Sequence, residues 1–310
     1  MKKTLLCFLL AATALLSAVA SAETYAVIIG INDYPEPLDR NGNPLKDEDG
    51  NLISDDLMGC VNDSIFWKDL LIKSYGVKGQ NIRMLLDKQA TEANFIKEMR
   101  WLISMAKPGD RIFFSYSGHG AQVELADQPE EADGLTEVIC LQDSLIPDNF
   151  FGEVAKNFRD AGIDATFSFD SCFSGGISRD VVMNGRILRN KAVPATRLNA
   201  KQKANHLTAI EGAGLTMAIA TTRAIKSGSY AFLMASAEDQ TSADVQFLND
   251  KYPPQGAFTF IVKAILTDEP TISIEALIEE VKSALKASKF DQIPNAEYSD
   301  SKRPAKPVIG

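Results

Sequence analysis

The 310-residue chain is poor in the residues that build stapled or metal-held folds, with 4 cysteines and 2 histidines. No Cys-x-x-Cys pair occurs, so a structural zinc site is not expected, and so few cysteines do not make a disulfide scaffold. Positive charge is also short. Lys+Arg number 32 against 41 Asp+Glu, a net charge of −9 that argues against nucleic acid as partner and suits a basic ligand. Long apolar runs are scarce too. Leu5–Leu16 is too short to cross a bilayer comfortably, and no second stretch of roughly 18 apolar residues follows, so no membrane span is expected.

The one apolar run has a different reading. Lys2 and Lys3 precede it and Ala20-Ser21-Ala22 follow it: a basic start, an apolar middle and a small-residue cleavage site, as in a secretory signal peptide over residues 1–22. An exported protein, periplasmic or secreted, is expected. Cys7 leaves with the leader, and an odd set of Cys60, Cys140 and Cys172 leaves at least one thiol unpaired in an oxidising compartment.

Strand and helix patterns alternate through the first half of the mature chain. Tyr25–Ile31 is an almost unbroken apolar run, as in a central strand covered on both faces. A helix is predicted over Asp63–Lys73, capped by Asn62 or Asp63, a strand over Asn81–Asp87 and a helix over Thr91–Ala106. Strands at Arg111–Tyr116 and Thr166–Asp170 flank a short strand at Thr136–Leu141 and a helix at Phe150–Asp160. Later come strands at Leu215–Thr221 and Tyr230–Ser236 and helices at Gly256–Leu266 and Ile274–Ala284, with the last dozen residues frayed. This order predicts an α/β fold with a largely parallel sheet.

Three stretches break the pattern. Residues 33–57, rich in Pro, Gly, Asn and Asp, read as a surface insertion with Asn41-Gly42 and Asp49-Gly50 as hairpin turns. Their aspartates do not fit the spacing of an EF-hand loop, so a solvated acidic loop is expected. Glu124–Gly134 reads as an acidic loop. Residues 177–214, with Arg179, Arg186, Arg189, Lys191, Arg197, Lys201 and Lys203, read as a basic and mostly exposed linker.

Ligand-handling side chains in parallel α/β sheets collect beyond the carboxyl ends of strands. Two predicted strands end in reactive residues among glycines: Ser117-Gly118-His119-Gly120, and Asp170-Ser-Cys172 before Gly175-Gly176. An imidazole beside a thiol can take its proton, and backbone N–H groups at Gly120 and Cys172 can hold an oxyanion. The alternative for Cys172 is a buried cysteine packed as a small apolar residue, and for His119 a turn histidine bonded to backbone. His206 lies in the irregular basic region and is the poorer partner. A phosphatase loop fits less well, because six residues rather than five separate Cys172 from Arg179.

Tyr116-Ser-Gly-His-Gly120 followed by Asp170-Ser-Cys-Phe-Ser-Gly-Gly176 resembles the caspase-like cysteine peptidases, most closely their metacaspase branch, including bacterial members. The likeness extends to Val27–Ile31, Gly59–Ser64, Leu233–Gln240 and Gly256–Thr259. It implies a caspase-like, mostly parallel central sheet flanked by helices, a peptidase domain over residues 23–270, and a C-terminal helix and tail over 271–310. Cys172 would be the nucleophile and His119 the general base and acid. Asp63, Ser117 and Asp170 would line the pocket for the residue before the scissile bond, with Cys60 either a pocket-wall thiol or structural. Two recessed carboxylates favour Arg or Lys, as the family's association with basic residues also implies. Protein or peptide substrates carrying Arg or Lys are therefore expected, and the exposed Arg179–Lys203 stretch offers sites for self-cleavage. No cofactor is required for this chemistry. Calcium is a candidate regulator, with Asp133, Asp143 and Asp180 as candidate ligands, although Thr136 stands where the family often has an acid. No motif specifies an oligomeric state. The alternative function is a non-catalytic caspase-fold binding or regulatory module.

Overall fold

The first strand, β1 (Thr24–Gly30), is buried along its whole length, and its side chains alternate between two apolar layers. Tyr25, Val27 and Ile29 enter one layer and Ala26 and Ile28 the other. Removing such Val and Ile side chains from water contributes roughly 1.5–3 kcal/mol each, which is why an apolar run without polar alternation becomes a central strand. The structure, a computed structural model, describes residues 22–39, 41–124, 134–172, 181–183, 185–198, 202, 228–237, 240–248 and 252–310. The leader up to residue 21, Gly175, Gly176, Arg179, Lys201, Lys203, His206 and the strand expected at Leu215–Thr221 lie outside the described residues.

From β1 the chain runs through helix α1 (Cys60–Lys73), β2 (Ile82–Leu86), α2 (Glu92–Met105) and β3 (Arg111–Ser117). It continues through β4 (Gly120–Val123), β5 (Thr136–Cys140), β6 (Leu145–Pro147), α3 (Asp148–Asp160) and β7 (Asp164–Asp170). Then follow β8 (Val181–Met183), β9 (Arg186–Asn190), β10 (Tyr230–Met234), β11 (Ala243–Phe247) and β12 (Gln255–Gly256). Helices α4 (Ala257–Asp268) and α5 (Ile274–Ala287) and strand β13 (Asn295–Tyr298) complete the order.

The central sheet has the order β13-β10-β7-β3-β1-β2. All its pairings are parallel except the edge pair β10–β13. Helices α1, α4 and α5 cover one face through Trp67, Leu71, Phe258, Val262 and Leu277, and α2 and α3 cover the other through Phe95, Met99, Phe151 and Phe158. Two small antiparallel sheets, β4-β5-β6 and β12-β11-β9-β8, stand at the carboxyl ends of the central strands. The expected α/β architecture, a mostly parallel sheet flanked by helices, is the one observed.

Four local expectations change. Helix α1 starts at Cys60 with Gly59 as its N-cap, so neither Asn62 nor Asp63 caps it, and Asp63 in the first turn is buried. The 33–57 insertion is exposed at its turns, where Asp39 and Asp47 each accept N–H groups two and four residues on. Its root is not exposed: Tyr34, Asp55 and Leu57 are buried. The stretch read as a basic linker carries β8 and β9, and Lys191 directly after β9 is 0% exposed. The tail is not frayed over its last dozen residues. Arg303 is buried, donating to Pro307 O at 2.9 Å and to Thr166 Oγ1, and Val308 is buried beside it.

Candidate active site

Strands β3 and β7 are neighbours in parallel register, with Ser117 opposite Asp170 on the last rung. His119 and Cys172 each lie two residues beyond that rung, so the register carries both chain segments out of the sheet at one level. Gly118 N–H donates to Asp170 O at 3.3 Å, tying the two exits together.

His119 is held from every side but one. Its N–H donates to Tyr34 Oη at 2.7 Å, and its carbonyl accepts from Tyr116 Oη at 2.6 Å and from Cys140 N at 2.9 Å. The ring leans on Tyr34 with centroids 4.6 Å apart. Nε2 lies 2.6 Å from Asp55 O, and a carbonyl only accepts, so Nε2 carries the proton and Nδ1 keeps its lone pair. Nδ1 is buried without a hydrogen-bond partner among the described residues. Burial holds the imidazole's pKa below its ordinary value, which favours the neutral, proton-accepting form.

Cys172 is fully buried, its Sγ 3.8 Å from Ser242 O, and burial pushes its thiol up to about 12. It is therefore a thiol, not a thiolate, while covered. Cys60, Cys140 and Cys172 are all free. Burial raises Cys60 and Cys140 as well, and Cys60 is close enough to Lys191, Asp244 and Asp63 to feel their charges.

What covers the site is the chain itself. Lys191 N–H donates to Ser242 O at 3.0 Å and Val193 N–H to Gly120 O at 3.0 Å, which lays residues 191–193 along β4. The Lys191 carbonyl accepts from Gly120 N at 2.9 Å and Cys172 N at 3.4 Å. Its Nζ enters a closed recess, 3.1 Å from Asp63 Oδ2, 3.0 Å from Asp170 Oδ1 and 2.9 Å from Ser117 Oγ. Side-chain bonds at Arg197 to Asp55 (2.8 Å) and at Arg189 to Asp56 O fasten the segment to the insertion's root.

The recess is closed electrostatically as well. Ser117 Oγ donates to Asp63 at 2.7 Å, and Gly256 N–H lies 3.0 and 3.1 Å from its two oxygens. Asp170 accepts from Ser242 Oγ (2.8 Å) and from Thr259 N (3.2 Å) and Oγ1 (2.6 Å). Burial opposes the Lys191 charge, but Asp170 and Asp63 outweigh it and hold the ammonium's pKa well above its ordinary value. One ammonium shared by two carboxylates leaves a negative charge in surplus. Burial, with Asp170 alongside, accordingly raises Asp63 to about 7 against the pull of Lys191. Asp244 is a third buried carboxylate, raised by burial, that fixes the start of α1 through the N–H groups of Met58 and Gly59.

Of the residues singled out by sequence, Asp63, Ser117, Asp170, Gly120 and Cys172 therefore meet around one lysine. Asp143 is elsewhere: its Oδ1 accepts Glu92 N–H at 2.9 Å at the start of α2. Asp133 and Asp180 lie outside the described residues, and among the described residues no three His, Cys, Asp or Glu side chains gather as a metal site. Sequence reasoning missed Lys191 as an occupant, the Asp55 carbonyl behind His119, and Ser242, Asp244, Gly256 and Thr259 around the recess. One signal was there: the dipeptide Asn184-Gly185 is a hairpin-turn signal in the sequence, and β8 and β9 pair antiparallel with Met183 opposite Arg186 and Gly185 at φ +73°.

A parallel sheet that delivers an imidazole and a thiol from adjacent strand ends, beside a two-carboxylate recess, defines a caspase-like α/β protein. A family model described as "Metacaspase, peptidase C14 domain" matches residues 25–180. Metacaspase-1 of Schizosaccharomyces pombe is 27% identical over 275 residues, 79% of this chain and 64% of the relative. Metacaspase-1 of Kluyveromyces lactis is 28% identical over 277 residues, 79% of this chain and 63% of the relative. The chain thus spans a little under two thirds of these relatives' length. In fold it is similar to the crystal structure of protein GSU0716 from Geobacter sulfurreducens, with a TM-score of 0.61 and 20% identity over 92% of this chain and 97% of that one. The chain belongs to the metacaspase family of the peptidase C14 domain.

Proposed function

We propose that the protein is a cysteine endopeptidase that cuts after basic residues and first cuts itself between Lys191 and Ala192. One observation carries this reading: Lys191 lies as a substrate would, its ammonium between two carboxylates and its carbonyl oxygen on the Gly120 and Cys172 N–H groups.

Chemistry follows from those positions. Cys172 Sγ attacks the Lys191 carbonyl carbon while His119 Nδ1 takes the thiol proton. The oxygen's developing charge falls on the Gly120 and Cys172 N–H groups, a contribution typically worth about a hundredfold or more in rate per donor. The carbon–nitrogen bond to Ala192 breaks as Nδ1 returns the proton to the leaving nitrogen, leaving a thioester on Cys172. Water, deprotonated by Nδ1, then attacks the thioester. The products are a carboxylate at Lys191 and a restored thiol. A base is needed because the covered thiol, at about 12, does not ionise unaided near neutrality. After self-cleavage the recess is free to take Arg or Lys of other proteins. Cys60 is a wall residue in this scheme.

Calcium stimulation belongs to the proposal as a property to measure, with Asp133, Asp143 and Asp180 as candidate ligands, and no chemical step runs through the ion. Export to the periplasm or medium also belongs to it. A mature N-terminus at Glu23 is the result that supports export, and an uncut leader contradicts it.

Peptidyl electrophiles ending in Arg, Lys or Asp test the activity on the purified chain, with and without calcium. Labelling of Cys172 by the basic probes alone is expected. Preference for Asp would overturn the specificity, and no labelling by any probe would favour the binding module.

A further inference from the structure

Resting on the reading of Lys191 as a bound substrate residue, we infer that the recess selects lysine over arginine and that Gly256 sets its depth. An ammonium has three N–H donors, and here each finds an acceptor: Asp63 Oδ2, Asp170 Oδ1 and Ser117 Oγ, all between 2.9 and 3.1 Å. A guanidinium instead calls for two oxygens of one carboxylate presented side by side. Neither aspartate offers that, because Asp63 Oδ1 is engaged by Gly256 N–H and Asp170 Oδ2 by Thr259 N–H and Oγ1.

Length decides in the same direction. Arginine Cζ stands as many bonds from Cα as lysine Nζ, so its terminal nitrogens reach about 1.3 Å further, one carbon–nitrogen bond of partial double-bond character. Gly256 forms the wall there. A Cβ added to Gly256 would lie 2.4 Å from Lys191 Nζ and 2.1 Å from Asp170 Oδ2. The wall is backbone, with its N–H committed to Asp63, and it cannot swing aside as a long side chain would. Two arginines flank the lysine in the same segment, and both are bonded elsewhere: Arg189 to Asp56 O and Arg197 to Asp55.

The experiment compares kcat/KM of the self-processed enzyme on one peptide series differing only before the scissile bond: Lys, Arg, ornithine and Asp. Lysine is expected to exceed arginine by about tenfold to a hundredfold, the range open to a pocket mis-sized by about one group. Equal or faster cleavage after Arg overturns the selectivity and leaves the basic-residue peptidase standing. Cleavage after Asp alone overturns both. In the full chain, Lys191→Arg is expected to slow self-processing at that bond by a similar factor, and wild-type speed there counts against the inference. Gly256→Ala is expected to cut lysine cleavage at least tenfold and to raise the ornithine-to-lysine ratio, because ornithine is one methylene shorter. An unchanged ratio in a folded Gly256→Ala protein removes Gly256 as the determinant. Should that variant not fold, the wild-type Lys-to-Arg ratio decides alone.

Discussion

The recess around the Lys191 ammonium and the residues His119 and Cys172 share one end of the sheet but are finished differently. In the recess the polar groups are bonded: Nζ has three partners, and both aspartates accept from further N–H or hydroxyl groups. At the other site His119 Nδ1 is buried with no partner among the described residues, and the Cys172 sulfur lies 3.8 Å from the Ser242 carbonyl oxygen. Buried polar groups are nearly always satisfied, so the open lone pair on Nδ1 is an exception, and the proposed reaction uses it. In the proposed reaction the recess grips and the pair acts.

If that division is right, substitutions in the two places should part activity from stability. The largest effect is expected from Cys172→Ala, which should lower self-processing and peptide cleavage by at least about a thousandfold. Its unfolding free energy should stay within about 1 kcal/mol of wild type. A large stability loss would make the thiol structural and break the comparison. Lys191→Ala, made in the inactive Cys172→Ala chain, is the converse. It leaves two carboxylates together in a dry recess, and denaturant unfolding should show a loss of about 3–5 kcal/mol.

Acidity separates the two places by sign. Burial holds the His119 pKa below the ordinary 6.5, so self-processing should persist below pH 6.5 and fall only when the ring takes its proton. For Asp63, raised from 3.8 to about 7, the folded state keeps a proton that the unfolded chain releases. Its stabilising contribution is then fully present below about pH 3.8 and lost as pH rises through 7. Replacing it in the Cys172→Ala chain, as Asp63→Asn, should flatten the decline in stability between those values. A steeper decline would contradict the assignment. The smallest effect belongs to the insertion's outer turn: Asp47→Ala should change stability by under about 0.5 kcal/mol and leave processing unaltered. A slowed reaction there would show that the exposed turns, and not only the buried root at Asp55, reach the site.

Much of this was legible in the residues. Val27–Ile29, Phe113–Tyr116 and Phe167–Phe169 announce central strands, and the glycine-flanked His119 and the Cys172 turn announce strand-end chemistry. Lys191 was not legible, because lysine is almost never buried unless paired and its partners Asp63 and Asp170 stand 128 and 21 positions away. Scattered among arginines it reads as solvent-facing. The tail misled for a related reason: Arg303 is buried by bonds to Pro307 and Thr166 that no local pattern foretells.

Sequencing the first new N-terminus that appears in freshly purified wild-type chain, at several protein concentrations, tests the substrate-like placement of Lys191 most directly. The expected result is a single early terminus at Ala192, formed at a rate independent of concentration and absent from the Cys172→Ala chain. A first cut elsewhere with the Lys191–Ala192 bond intact, or the same terminus from the Cys172→Ala chain, would contradict it.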